Sequence, residues 1–420
     1  MTKTKTRGFY LIAIAIFLLG DNLAAQLGPR RITLDDAQAR AAANKAAELA
    51  RLTIDAAKYH RQALQADYFP KIGSDFFNLH FNKFMGQAIV VAGRTAGLPL
   101  FFKDQTIVAV TVTQPITPLF KVRQAVDIAR ADETIARAKA SGIAAQVAAN
   151  VERTYFDLLI GQRQQTVAQE KVNTTESGLQ LATTGEMRLG GLAERRTAFL
   201  AASKELVTVS SRVTELMQSL NLLIGLAPDT ELELVDPEPV FENISLQQAT
   251  QQAQANSHEL VEAEQTVVKA GAAARLSKLE YVPDVAAIGG YVYERAIPLL
   301  PRDFSYIGVM ASWNLFDFGK REKTISESNT QLALAKANLD LVRAKIAANA
   351  QKAFLDLERT RKIRDLTRQI VTGYRPVPIS YPTTKPDASA ARAQAELEMY
   401  QTELDYRLAL SQLKQLIEGR

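Results

Sequence analysis

The spacing of apolar positions along this chain changes from helical to strand-like and back, twice over. From Thr33 to Asp67 small and apolar residues run without glycine or proline, Thr33 and Asp35-Asp36 supply N-terminal signals, and Pro70 ends the pattern. One long helix is predicted over 33–67. From Ile72 to Phe84 and from Ile107 to Gln114 the texture turns β-branched and aromatic, with Val108, Val110 and Val112 alternating against Ala109, Thr111 and Thr113. These are the two strands of a hairpin. Residues 119–184 contain no proline and predict a helix on the order of 100 Å long at 1.5 Å rise per residue. Gly185 and Gly190-Gly191 mark its reversal, and 192–225 return as an antiparallel helix of about half that length.

The same succession then repeats. Ile32-Thr33-Leu34 with Ala37 and Asn44 reappears as Ile244-Ser245-Leu246 with Ala249 and Asn256, at a constant spacing of 212. Tyr68-Phe69-Pro70 matches Tyr281-Val282-Pro283, and Tyr155-Phe156-Asp157-Leu158 matches Phe354-Leu355-Asp356-Leu357. The expected organisation is a first unit over 26–225, with a β-hairpin at about 70–117 and a helical hairpin over 119–225. An acidic, proline-rich linker follows over 226–243, then a second unit over 244–420 with a β-hairpin at about 283–315 and a helical hairpin over 319–418. In the second β-hairpin, Ile307, Val309, Ala311, Trp313 and Leu315 share one face.

Composition narrows the class. With 47% hydrophobic and 23% charged residues the chain is globular rather than disordered. Lys3, Lys5 and Arg7, an apolar run from Phe9 to Leu19 and small residues at Ala24-Ala25 predict a secretory signal peptide over 1–25. The run is too short for a membrane anchor. Removing it lowers the formal charge from +5 to +3, too weak to argue for nucleic acid. Cysteine is absent, so neither disulfides nor a lipoprotein anchor are expected, and core packing or partner subunits must hold the fold.

No later stretch is a transmembrane helix, so a membrane-inserted form must use strands. Two hairpins give four strands, and the smallest membrane barrel needs about eight. Closure then demands more than one chain. The periodicity also fits a four-stranded sheet packed on soluble helices, and the aromatics Phe76, Phe77, Phe81, Phe84, Tyr291, Tyr293 and Trp313 fit either membrane-interface girdles or an aromatic core.

In its duplicated order of elements the chain resembles the outer membrane efflux protein family, the TolC-like factors of tripartite pumps and type I secretion. The residues that carry the likeness are Ile32 to Ala37, Tyr68-Phe69-Pro70, Tyr155 to Leu159, Leu220 to Leu226 and Ser312 to Arg321. It spans nearly all of 30–420. The resemblance implies a mainly α fold with a β-barrel part, in which a homotrimer closes a 12-stranded β-barrel in the bacterial outer membrane and continues it as a long α-helical barrel through the periplasm. It implies a passive export duct without cofactor or chemistry, contacting outer-membrane lipid, a periplasmic adaptor (membrane fusion) protein and an inner-membrane pump. Membrane-interface aromatics would be Phe77, Phe81, Tyr291, Tyr293 and Trp313. The adaptor-docking turn falls on Arg188, Leu189, Gly190, Gly191, Leu192 and Ala193, with Arg195 and Arg196 making that end basic.

The second turn departs from the family pattern. Its descending helix, counted from Lys320, stops near Thr372, and Gly373 to Pro386 hold four prolines that no continuous helix tolerates. Where relatives carry an acidic ring, only Asp387 is available among Arg375 and Lys385. The periplasmic gate is accordingly expected on Tyr374, Arg375, Tyr381, Lys385 and Asp387, with a basic mouth.

Catalytic signatures do not survive inspection. Asp317-Phe318-Gly319 lacks the other kinase elements and reads as a strand-to-helix corner. His258-Glu259-Leu260-Val261-Glu262 ends in Glu where a zinc-protease signature needs a second His. The competing class is a soluble periplasmic coiled-coil adaptor or scaffold, separable by fractionation and oligomeric state.

Overall fold

A computed structural model of the chain describes residues 30–43, 45–83, 85–183, 189–236, 244–298, 300–373 and 386–419. The helix expected over 33–67 forms in two pieces, α1 (Leu34–Ala41) and α2 (Lys45–Ala66). Thr33 opens α1 with a capping box: its hydroxyl accepts from the Asp36 N–H while the Asp36 carboxylate accepts from the Thr33 N–H and hydroxyl. The helical hairpins are α3 (Pro118–Thr183) with α4 (Leu189–Leu223), and α7 (Lys320–Gly373) with α8 (Pro386–Glu418). Between them lie α5 (Leu246–Asn256) and α6 (His258–Lys278), separated at Ser257, whose side chain caps α6 by accepting from the Leu260 N–H. Gly190 and Gly191, expected in the reversal, lie in the first turn of α4; the first N–H groups of a helix have no intrahelical partner, so glycine costs little there.

The described chain divides into two compact units. One takes in Leu49–Gly142 and Ser257–Ala347 and holds a fully antiparallel sheet. Its strands are β2 (Lys71–His80), β5 (Asp104–Pro115), β7 (Asp284–Arg295) and β8 (Asp303–Ser312), in the order β2-β5-β7-β8. The helices of this unit follow the same order. Arg61 of α2 pairs with Glu133 of α3 at 2.6 Å, Lys269 of α6 with Asp132 of α3 at 2.7 Å, and Arg343 of α7 with Glu264 of α6 at 3.2 Å. A further hairpin, β3 (Gly86–Val91) and β4 (Arg94–Pro99), sits between β2 and β5, where the sequence reading has only a loop. Ala92 and Gly93, both at positive φ, make its two-residue turn.

The other unit comprises the described residues up to Glu48, Ile143–Asn256 and Ala348 onward. Its core gathers Ile32, Val151, Tyr155, Leu158, Leu220 and Leu404, all essentially inaccessible to solvent. Each such aliphatic side chain contributes about 1.5–3 kcal/mol by leaving water. At its edge β1 (Arg30–Ile32) pairs in parallel with β6 (Leu232–Leu234), tying the chain's beginning to the linker. A second cluster, around Leu357, Leu410 and Leu413, packs α5 between the ends of the last hairpin.

Candidate functional site

The register of the sheet sorts its side chains onto two faces, because a residue and its direct partner on the next strand point the same way. One face carries Ile72 and Phe76 of β2, Val108, Val110 and Val112 of β5, Tyr291 and Tyr293 of β7, and Ile307 and Val309 of β8. These apolar residues, Val108 apart, are exposed rather than buried; Ile72 is 75% and Ile307 93% accessible. A contiguous apolar band of this kind on a sheet is a surface made for hydrocarbon. The opposite face carries Lys71, Gly73, Asp75 and Phe77 of β2, Thr111 and Thr113 of β5, Gly290 and Glu294 of β7, and Tyr306 and Ser312 of β8. It mixes these polar, charged and small residues with apolar ones, Ile107, Ile288, Val292, Phe304 and Met310 among them.

On that second face the tyrosine lies flat. A Cβ at Gly290 would come within 2.9 Å of the Tyr306 ring and 2.6 Å of the Val110 carbonyl oxygen, so only glycine lets the ring lie across the strand. The Tyr306 hydroxyl stands 3.3 Å from that of Thr111. Lys71 is paired with Asp67 at 3.0 Å. Glu294 is buried beneath the β7–β8 turn and accepts the N–H groups of Ala296 and Ile297 at 2.9 and 3.0 Å.

The two edge strands are exposed along their length, every residue of β2 and all but one of β8 being open to solvent. Their backbone groups on the outer side are a template for another strand. At the helix end of β8, Asp317-Phe318-Gly319 forms the corner expected of it. Phe318 and Gly319 adopt positive φ, and Asp317 accepts from the Arg321 N–H at 3.0 Å and from its guanidinium at 2.7 Å. The Arg321 guanidinium beside Asp317 holds that carboxyl below the usual range. Arg321 also donates to the carbonyls of Glu280 and Asn314 and lies over the Tyr281 ring.

The five aromatics named as membrane-interface residues do not form one belt. Tyr291 and Tyr293 lie on the apolar face toward the turn end of the sheet, whereas Phe77 points to the polar face, its partner Ile107 standing opposite Glu294. Phe81 follows β2 and is half-buried, and Trp313 follows β8 at the helix end, 54% accessible. Near Trp313 the side chains of Leu315, Phe316 and Phe318 are also exposed.

Of the docking-turn residues, Leu189, Gly190, Gly191, Leu192 and Ala193 open α4, while Arg188 lies outside the described residues. Arg195 folds back across the hairpin, donating to the Gly178 carbonyl at 2.9 Å. Among the gate residues, Tyr374, Arg375, Tyr381 and Lys385 lie outside the described residues, and Asp387 stands in the first turn of α8. Higher in the same unit, Tyr155 fastens the linker: its hydroxyl lies 3.0 Å from the Ile32 carbonyl and 2.7 Å from that of Val235, and accepts the Val235 N–H at 2.9 Å. Burial, helped by the Asp236 and Asp36 carboxylates, pushes the phenol up to about 12. Asp236 in turn accepts from the Tyr400 hydroxyl of α8 and pairs with Arg163 of α3 at 3.6 Å. The tyrosine of the Tyr155-Phe156-Asp157-Leu158 motif thus serves the linker, a role its sequence repeat did not reveal.

No described helix is long and apolar enough to cross a membrane, and among the described residues no cluster of metal-ligating side chains occurs.

A sequence model of the outer membrane efflux protein family matches residues 249–377. No curated protein matches the chain. Among solved structures the fold is similar to a membrane protein from Pseudomonas aeruginosa, at 14% identity and a TM-score of 0.75, over 91% of this chain and 93% of that one. It is similar to the outer membrane protein VceC of Vibrio cholerae, at 13% identity and a TM-score of 0.68, over 92% and 96%. The MtrE outer membrane channel of Neisseria gonorrhoeae, solved in its open state, shares 12% identity at a TM-score of 0.70, over 92% and 88%. The chain thus shares its fold with these outer-membrane proteins, and one face of its sheet carries an exposed apolar band. The segment matched by the outer membrane efflux protein model lies wholly within the second half of the chain.

Proposed function

We propose that three copies of this chain close a passive export duct, the outer-membrane member of a tripartite efflux or type I secretion assembly. The observation that carries the reading is the pair of open edges. β2 and β8 are both ten residues long, exposed, and opposite in direction, so β8 of one copy meets β2 of the next antiparallel and any number of copies closes without a parallel seam. Two copies would give a barrel of about eight strands, whose interior side chains fill. A third opens a lumen. At roughly 3.3 Å per residue, tilted strands of this length match the apolar band of an outer membrane.

The docking turn for a periplasmic adaptor is assigned to Arg188–Ala193, where the α3–α4 hairpin reverses, and an inner-membrane pump would stand beyond it. The gate is assigned to Tyr374, Arg375, Tyr381, Lys385 and Asp387, the prolines between them replacing a regular helical turn. Residues 226–243 are assigned as the band joining two repeats.

The natural absence of cysteine makes the closure directly testable. Full-length protein carrying Ser74→Cys together with one cysteine in turn at Ser305, Ile307 or Val309 is oxidised in outer-membrane fractions. One pairing is expected to give covalent dimers and trimers that unfold only on heating. A soluble monomer that never crosslinks would end the duct and favour the periplasmic scaffold.

A further inference from the structure

We infer that Asp75 sets the ion preference of the duct, acting as one member of a ring of carboxylates at mid-depth in the barrel. The inference rests on the three-copy closure proposed above. Asp75 is the fifth residue of ten in β2 and points to the polar face, opposite Ala109 of β5. It is exposed, and it takes part in no ion pair or hydrogen bond among the described residues. The other charges of that face are occupied: Lys71 by Asp67, Asp284 by Lys121, and Glu294 by the N–H groups of Ala296 and Ile297.

Closure of the barrel does not neutralise it. The neighbours of Asp75 on its own face are Gly73 and Phe77 along β2 and Ile107, Ala109 and Thr111 across on β5. The strand that would pair with β2 is β8 of the next copy, whose residues on that face are Phe304, Tyr306, Gly308, Met310 and Ser312. None of these carries a positive charge, and Arg302, which shares their parity, stands before the first residue of β8. Three unpaired carboxylates therefore face one water-filled lumen walled by low-dielectric material, which concentrates their field and favours cations. The layer beside them is built from Gly73, Thr111, Gly290 and the flat-lying Tyr306, so the passage there stays wide and the selection acts by charge rather than by size.

The test is the reversal potential of single channels of the full-length protein in planar bilayers under a potassium chloride gradient, with trimer content checked by heat modification. Wild type and Asp75→Glu are expected to prefer potassium severalfold. Asp75→Asn and Asp75→Ser should bring the permeability ratio near unity at similar conductance, and Asp75→Lys should reverse it. Conducting channels whose reversal potential is unmoved in Asp75→Asn, or whose preference disappears only in Asp387→Ala, overturn the inference while leaving the duct standing. A wild type that forms trimeric channels without cation preference overturns it too. Failure to form trimers or channels at all sinks the barrel closure itself, and this inference with it.

Discussion

Two strand-to-helix corners lead out of the sheet, and they solve the same turn with different chemistry. The first, from β5 into α3, leans on its neighbour. The Ile116 N–H donates to the Val285 carbonyl at 2.8 Å, and the Thr117 hydroxyl donates to the Pro283 carbonyl at 2.6 Å while accepting the Val285 N–H at 2.7 Å. Lys121 then reaches Asp284 at 2.6 Å. The second, from β8 into α7, has no strand on its far side and closes through Asp317, the left-handed pair Phe318-Gly319 and the buried Arg321, whose guanidinium also reaches the Glu280 carbonyl and the Tyr281 ring. The interior corner leans on backbone groups of the next strand, whereas the edge corner is organised around one buried arginine. The exposed Trp313, Leu315, Phe316 and Phe318 around it are the surface left for lipid or a neighbouring copy.

Removing Arg321 should break the edge corner hardest. Arg321→Ala leaves the Glu280 and Asn314 carbonyls without their charged donor, a loss of about 2–4 kcal/mol. The midpoint of thermal unfolding should fall accordingly, and an unchanged midpoint would mean the corner is held by backbone conformation alone. The interior corner should give less: Thr117→Val removes one hydroxyl that serves two backbone groups, costing about 1–2 kcal/mol. If it costs more than Arg321→Ala, the contrast between the two corners fails. The smallest effect is acid sensitivity. Because the folded Asp317 carboxyl is held below its ordinary value by Arg321, its contribution is present above the unfolded aspartate range and is lost as pH falls through the folded value. Lowering the pH to about 3 should therefore weaken the wild type more than Asp317→Asn; equal slopes would locate the acid response elsewhere.

Much of this was legible in the residues, because period and punctuation are local. The alternation of Val108, Val110 and Val112 placed β5 within a few residues, and Asp317-Phe318-Gly319 read as a corner because a carboxylate followed by glycine before a helical run has that use. The β3–β4 hairpin was missed although its signal is present: β-branched Val90-Val91 and Thr95 flank Ala92-Gly93. The break between α1 and α2 had only a faint signal, Asn44 before Lys45, because Ala42 and Ala43 both favour helix. It follows from tertiary placement, Ala37 and Ala41 being drawn into the core around Tyr155. The aromatic residues were read as a set because composition ignores parity; only the register shows that Phe77 and Tyr293 point to opposite faces. That Asp75 stands without an ion-pair partner among the described residues is likewise set by its neighbours on two strands and cannot be read from its identity.

The parallel pairing of Arg30–Ile32 with Leu232–Leu234 sets an order on assembly. The partners lie about two hundred residues apart in the chain, and a strand made that early has nothing to pair with until the whole α3–α4 hairpin has followed it. Helices close on themselves quickly, whereas long-range pairing waits for loop closure. Tyr155, which touches both Ile32 and Val235, then makes its contacts only when that pair has formed. The clasp ties the start of the chain to residues that follow the whole first helical hairpin.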